Sequence, residues 1–465
     1  MIRLLLILFP GLLLAGCSKP APDPAQAGEL IVATRNSPTA YFINEQNQPA
    51  GYAYDLISRF AEQHGWKVRW QVSPDLSSLY TLAKQGQVNI VAAELTEQAV
   101  RHQGLRPGPT LFISRALVIS RQDGPAISKA ADLVGKRVAV LAEGGHVELM
   151  QALLRKNPKL KWVVLAEAWP EELLARLSDG EFDAVVVNET DYDRARLYYP
   201  GLIGAFTLAD YQQVVWALPR GTPKALAKQL QDFIAKAEQD GTLRQTFERY
   251  YGHIKQLDDS DIAGILSRRS LLLPKYRKLF QEAHEETGID WRLLAAIGYQ
   301  ESQWNPYATS PTGVKGIMML TGDTADRLGV TDRLDPRQSI LAGARYLVML
   351  RDELPARIAE PDRTWFALAA YNQGMGHLED ARRLTQARRM NPDCWADLKK
   401  NLPLLARGRY GRTTRFGYSR GGEAVILVES IRNYYDILTR FEQPLKPPLL
   451  LTQKPTHLPG DLASQ

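Results

Sequence analysis

The segment Ile289-Asp290-Trp291-Arg292-Leu293-Leu294-Ala295-Ala296-Ile297-Gly298-Tyr299-Gln300-Glu301-Ser302 carries the residue best suited to acid–base chemistry. Its spacing predicts an amphipathic helix, with Asp290 as the residue that caps its start. Leu294, Ile297 and Glu301 then share one face, at three- and four-residue steps. A carboxyl group on an apolar face is costly to ionise. Its pKa rises, and an acid still protonated near neutral pH can act as a general acid. The competing reading is a glutamate at a helix end, turned out to solvent.

The surrounding periodicity supplies the elements that would position it. Helical patterns run over 276–286, 321–328, 338–350, 365–371 and 423–435, with no strand pattern among them. This half of the chain reads as mostly α. It also carries Gly313-Val314-Lys315-Gly316-Ile317-Met318-Met319-Leu320, then Ala370-Tyr371-Asn372-Gln373-Gly374, then Ser430-Ile431-Arg432-Asn433-Tyr434. Together with Glu301-Ser302, and in this order, these motifs resemble the catalytic domain of the soluble-lytic-transglycosylase type. That family has a goose-lysozyme-like fold and cleaves peptidoglycan.

The resemblance implies roles residue by residue. Glu301 would be the catalytic acid, and Ser302, Met318, Met319, Tyr371, Asn372 and Tyr434 would contact substrate. Ser302 also fits as a plain polar helix end. Gly313 and Gly316 would let a loop approach a sugar closely. Met318-Met319 stands where most relatives have Met-Gln. Met319 thus resembles the variant joined to a solute-binding-like module, the membrane-bound transglycosylase F type. Glu429 is one position out of register with the acid the family often has in its last motif, and takes no role. Two-carboxylate glycosidases need a second acid, and no motif near Glu301 supplies one. In the family, a single Glu first protonates the oxygen between N-acetylmuramate and N-acetylglucosamine, and the acetamido group stabilises C1. The same Glu then deprotonates the C6 hydroxyl, which closes a 1,6-anhydro ring.

The first half of the chain alternates. Strand patterns cover 30–34, 68–72, 89–93, 137–141, 162–165 and 183–187; helical patterns cover 54–64, 79–85, 146–155 and 170–177. Such alternation predicts parallel sheets with helices on both faces, in two lobes. The words Gly51-Tyr52-Ala53-Tyr54-Asp55-Leu56, Gly86-Gln87-Val88-Asn89-Ile90, Asp132-Leu133-Val134-Gly135-Lys136 and Gly180-Glu181-Phe182-Asp183-Ala184 resemble the solute-binding proteins of amino-acid transporters. That resemblance implies crossings near 115–121 and 213–220 and a ligand held between the lobes. Thr96 and Arg101 fall near the family's carboxylate-binding pair. Asn188 falls where the family has an acid for the ligand's amino group, and an amide cannot supply that charge. A cell-wall peptide or muropeptide, an amino acid, or no ligand at all are the open choices. Glu143-Gly144-Gly145-His146 reads as a glycine turn.

The N-terminus begins with Arg3 and an apolar run over 4–14, too short to span a bilayer. It ends in Leu14-Ala15-Gly16-Cys17, which resembles a bacterial lipobox, so Cys17 would carry the lipid. Ser18 at the next position implies the outer membrane, periplasmic face. The alternative is an ordinary cleaved signal peptide. The expected layout is a signal over 1–16, a tether over 17–28, a solute-binding-like module over 29–253 with its second lobe at about 120–212, a linker over 254–274, a catalytic module over 275–442 and a disordered tail over 443–465.

Composition fits globular cores, with 45% hydrophobic and 23% charged residues. A net charge of +6 suits a polyanionic envelope, and no basic arm or zinc-finger spacing suggests a nucleic-acid partner. The second cysteine, Cys394, reads as a buried apolar residue. No ligand spacing for a metal occurs, and no cofactor is expected. Peptidoglycan strands and a lipid-anchored outer membrane are the expected partners. The function so read is non-hydrolytic peptidoglycan cleavage. The alternatives are a lysozyme-like hydrolase and a non-catalytic solute- or wall-binding lipoprotein.

Overall fold

The computed structural model describes residues 20–44, 47–411 and 414–445. The signal segment, Cys17 and residues 446–465 lie outside the described residues, as do the expectations made for them.

Alternating strands and helices build the first module. Its main sheet has eight strands: β1 (Glu29–Arg35), β2 (Lys67–Ser73), β3 (Ile90–Thr96), β4 (Arg106–Arg121), β5 (Val138–Leu141), β6 (Val163–Leu165), β7 (Ala184–Asn188) and β8 (Leu202–Leu218), in the order β2-β1-β3-β8-β4-β7-β5-β6. β2 and β3 pair parallel with β1, and β6 and β7 pair parallel with β5. β4 and β8 are long and antiparallel to one another. β8 meets β3 through Val214–Ala217, and β4 meets β7 through Ala116–Ser120. One end of this ribbon therefore belongs to each lobe. These crossing strands begin earlier than the sequence suggested.

Helices α1 (Tyr52–His64), α2 (Leu76–Lys84) and α3 (Glu97–His102) belong to the first lobe; α4 (His146–Lys156), α5 (Pro170–Ser178) and α6 (Glu189–Ala195) belong to the second. The chain then returns through α7 (Lys224–Gln239) and α8 (Thr242–Tyr251). β1, β3 and β7 are buried almost throughout, as parallel strands covered on both faces must be.

The segment expected to be a linker is a helix, α9 (Asp259–Leu271). Asp258 caps it by accepting a bond from the Asp261 N–H at 2.9 Å, and Asp261 reaches back to the Asp258 N–H. This is a capping box, built from exposed acids inside the segment expected to be a linker. Ile262 and Ile265 on this helix are fully buried.

The second module is helical. α10 (Leu273–Thr287), α12 (Pro336–Glu353), α13 (Asp362–Gln373) and α15 (Gly421–Phe441) surround α11 (Trp291–Ser302), and α14 (Met375–Ala387) follows α13. Every residue from Trp291 to Tyr299 is buried, so α11 is the central helix. One apolar core runs through both modules and includes Phe60, Trp216, Ile265, Ile297 and Leu427. An arginine with two carboxylates and a histidine–aspartate hydrogen bond line the seam. Arg249 on α8 bonds Asp55 at 3.1 Å and Asp362 at 3.4 Å, and His253 meets Asp436 at 2.8 Å. No helix among the described residues is long and apolar enough to cross a membrane.

Candidate active site

Glu301 occupies the last turn of α11. Asp290 accepts a bond from the Arg292 N–H at 2.7 Å and caps the start of that helix, as its sequence predicts. The helix stops because Gln303 and Trp304 both adopt left-handed backbone, at φ 53° and 61°. That is strained geometry for residues with side chains. It is held because the Trp304 indole is buried and donates to the Ala295 carbonyl at 2.8 Å. The Ser302 hydroxyl lies 3.0 Å from the Gly298 carbonyl and 2.9 Å from that of Ile317. Its single proton ties the helix end to the following loop.

That loop, 313–320, folds on itself through paired backbone bonds between Lys315 and Leu320. Gly316 sits at φ 83°, and a Cβ there would lie 1.9 Å from the Arg333 carbonyl oxygen, so only glycine fits. Arg333 donates to the carbonyls of Gly313 and Leu320, both at 2.9 Å. Neither Trp304 nor Arg333 stands out in the sequence, because each acts through backbone atoms that no spacing reveals.

The sequence-predicted residues divide in three dimensions. Tyr371 on α13 donates its hydroxyl proton to the Met318 carbonyl at 2.8 Å. Burial raises its phenol pKa well above the ordinary value, and the nearby Glu301 charge raises it further. Asn372 is exposed at the next position, and Met319 is half-buried at φ 48°. Met318 corrects the expectation. Its side chain is fully buried against Gly343, so only its carbonyl serves the site. Tyr434 is also displaced from its expected place. Its ring packs edge-on against Tyr299, with centroids 4.8 Å apart, and Tyr299 faces away from Glu301 on α11.

Glu301 itself is only partly exposed. Loss of solvent pushes its pKa up to about 8, with no cation, hydrogen-bond donor or other carboxylate among the described residues acting on it. Glu429, set aside on register, is buried between Arg432 at 3.0 Å and Lys399 at 3.1 Å, and the Trp395 indole donates to it at 2.6 Å. Burial alone would raise its pKa, but these partners hold it down to about 2. An uncharged acid beside a bound phenol can donate a proton to a leaving group at neutral pH and take one back afterwards.

The first module has its own cleft between the lobes. Thr96 lines it, but the hydroxyl is spent on capping α3, accepting from the Ala99 N–H at 3.2 Å. Asn188 lines it too and bonds buried His146 at 3.2 Å. Arg101 does not reach the cleft. It is exposed and pairs with Glu97 one turn back along α3. Arg35, Glu94, Glu171 and Asp191, which the sequence did not single out, meet there instead.

The family description Transglycosylase SLT domain matches residues 278–393, and Bacterial extracellular solute-binding proteins, family 3, matches residues 30–253. A membrane-bound lytic murein transglycosylase F from Thiobacillus denitrificans is 50% identical over 448 residues, covering 96% of this chain and 95% of that protein. One from Nitrosospira multiformis is 44% identical over 447 residues, covering 95% and 93%. The chain belongs to the membrane-bound lytic murein transglycosylase F family. Among solved structures, the substrate-binding protein of an amino acid ABC transporter aligns with 48% of this chain and 99% of its own, at 20% identity and a TM-score of 0.42. The two-module order, a bilobal α/β module before a helical one, is that of the family.

Proposed function

We propose that this family member is a lyase that cuts the N-acetylmuramate–N-acetylglucosamine bond of peptidoglycan without water, leaving 1,6-anhydromuramoyl ends. The observation that carries the reading is Glu301, partnerless and held up to about 8 by desolvation. At neutral pH it is an acid, ready to protonate the glycosidic oxygen. With no second carboxylate acting on it, the substrate acetamido group stabilises C1, and the ionised Glu301 then takes the C6 hydroxyl proton. Tyr371 and Asn372 flank the reacting sugar. Ser302 and the Met318 carbonyl act indirectly, by fixing the helix end and Tyr371. Met319 contacts substrate from the loop.

The mass of the products tests the reaction. Anhydro and reducing muropeptide ends differ by one water, and the expected products carry the anhydro end. A preponderance of reducing ends would replace transglycosylation with hydrolysis. Membrane association follows the family, and the lipid anchor at Cys17 in the outer membrane supplies it. Growth with labelled palmitate should label the chain, and Cys17→Ala should release it from the membrane fraction. The first module senses or positions a wall fragment. Calorimetry of the full chain with muropeptides and free amino acids tests this, and absence of both heat and thermal shift would remove the idea.

A further inference from the structure

Arg35 ends β1 with its side chain only 6% exposed, inside the cleft. Its Nε bonds Glu94 of the first lobe at 2.8 Å. Its Nη1 bonds Glu171 at 3.1 Å, and its Nη2 lies 3.7 Å from Asp191, both from the second lobe. The Trp169 ring centroid is 5.3 Å from the guanidinium carbon. Tyr251 donates to the far oxygen of Glu94 at 3.0 Å and fixes it in place. Carboxylates thus meet the guanidinium on its edges and an aromatic ring covers a face, which is how a receptor would hold a guanidinium ligand.

The lobes are also in direct contact. A Cβ on Gly145 of the second lobe would lie 2.6 Å from the Thr96 hydroxyl and 3.1 Å from Ala99 of the first. The cleft leaves about 30 Å³ in which the centre of a water molecule can sit. We propose that this cleft is a cation-binding site filled in cis by Arg35, which latches the two lobes shut, and that a solute enters by supplying its own guanidinium or ammonium group in place of Arg35. Arg194 is buried in the same cluster, with its Nη2 3.4 Å from the Tyr250 carbonyl. The solute class is therefore an organic cation bearing a guanidinium or ammonium group. Only the natural identity of that solute rests on the wall-fragment reading; the latch stands apart from it.

Chemical rescue tests the latch on the purified full chain. Arg35→Ala should melt lower by about 5 °C or more. Methylguanidinium at about 10 mM should restore at least half of that loss, while equal sodium chloride does not, and wild type should barely shift. Glu171→Gln keeps the second lobe folded, since Glu171 is 37% exposed and sits at the rim. It should speed hydrogen exchange across 96–99 and 144–146 about tenfold. An Arg35→Ala protein as stable as wild type, or rescued equally by sodium chloride, would overturn the proposal. If Arg35→Ala does not fold, unchanged exchange in Glu171→Gln overturns it. Muropeptide calorimetry, by contrast, bears on the sensor reading alone.

Discussion

Glu301 and Glu429 are two acids buried in one helical module, and their surroundings set them to opposite states. Among the described residues no cation acts on Glu301, and desolvation leaves it uncharged at pH 7, with a pKa of about 8. Around Glu429 the structure offers Arg432, Lys399 and the Trp395 indole, and the group stays ionised, held at about 2. Burial by itself does not decide what a carboxylate does; the company it keeps decides. A lone buried acid costs stability and can do chemistry. A paired one joins elements, here α15 to the seam between the modules, where Arg432 also donates to the Arg249 carbonyl at 2.6 Å.

Removing the proton from this comparison should have the largest effect. Glu301→Gln keeps the shape and loses the acid, so murein release should fall roughly a thousandfold. Its melting temperature at pH 8 should equal or exceed that of wild type, because no charge remains to be desolvated. Sacculus digestion and a thermal melt check both halves. Full-rate digestion by this variant would remove Glu301 from the mechanism.

Glu429→Gln should do the reverse. It leaves Arg432 buried without its carboxylate and Lys399 with Glu248 alone, at about 3 kcal/mol of stability. Urea unfolding should show that loss, while the folded fraction keeps most of its activity. The pH responses should differ in sign as well. The folded pKa of Glu301 lies above the ordinary carboxylate range, so its favourable contribution is full below that range and is lost as pH rises toward 8. Activity should hold to neutral pH and fall as pH passes through about 8. The folded pKa of Glu429 lies below the ordinary range, so its contribution is present at neutral pH and is lost as pH falls toward 2. Against wild type from pH 3 to 9, Glu429→Gln should be the less stable at neutral pH, with the gap closing as pH falls, and Glu301→Gln should match wild type at low pH and become the more stable as pH rises toward 8.

Tyr371→Phe perturbs the lone acid less. It deletes the hydroxyl that bonds the Met318 carbonyl at 2.8 Å. One such bond lost corresponds to roughly a tenfold drop in rate. Single-turnover assays should place the drop in the chemical step, and an unchanged rate would leave Tyr371 as packing only.

How much of this was legible depends on whether the carrying feature is periodic. The capped helix ending in Glu301 could be read because Asp290, Leu294 and Ile297 keep helical spacing. The crossing strands were read short. Pro107, Gly108 and Pro109 sit in β4 and look like a loop, although the strand runs along the lobe junction where its pattern need not alternate. The joint was misread for a different reason. Asp258 to Asp261 is exposed charge, but the sequence alone does not show that it also starts α9. Met318 and Tyr434 carry motif positions, but the sequence holds no record of which way a side chain turns once its helix is packed.

Arg101 and Arg35 complete the contrast and give the smallest expected effect. The family resemblance pointed to Arg101, yet its side chain is 65% exposed and paired with Glu97 on the same short helix. An exposed pair one turn apart contributes under about 0.5 kcal/mol, because water screens it and both side chains lose freedom to form it. Arg101→Ala should therefore leave melting, exchange at 144–146 and any solute binding in the first module unchanged within error. Arg35 has the same charge and lies among three carboxylates on two lobes, where screening is weak. If Arg101→Ala alone weakened solute binding, the cleft that matters would be an open form of the module, in which α3 turns Arg101 inward. The latch would then be the resting state of that movement.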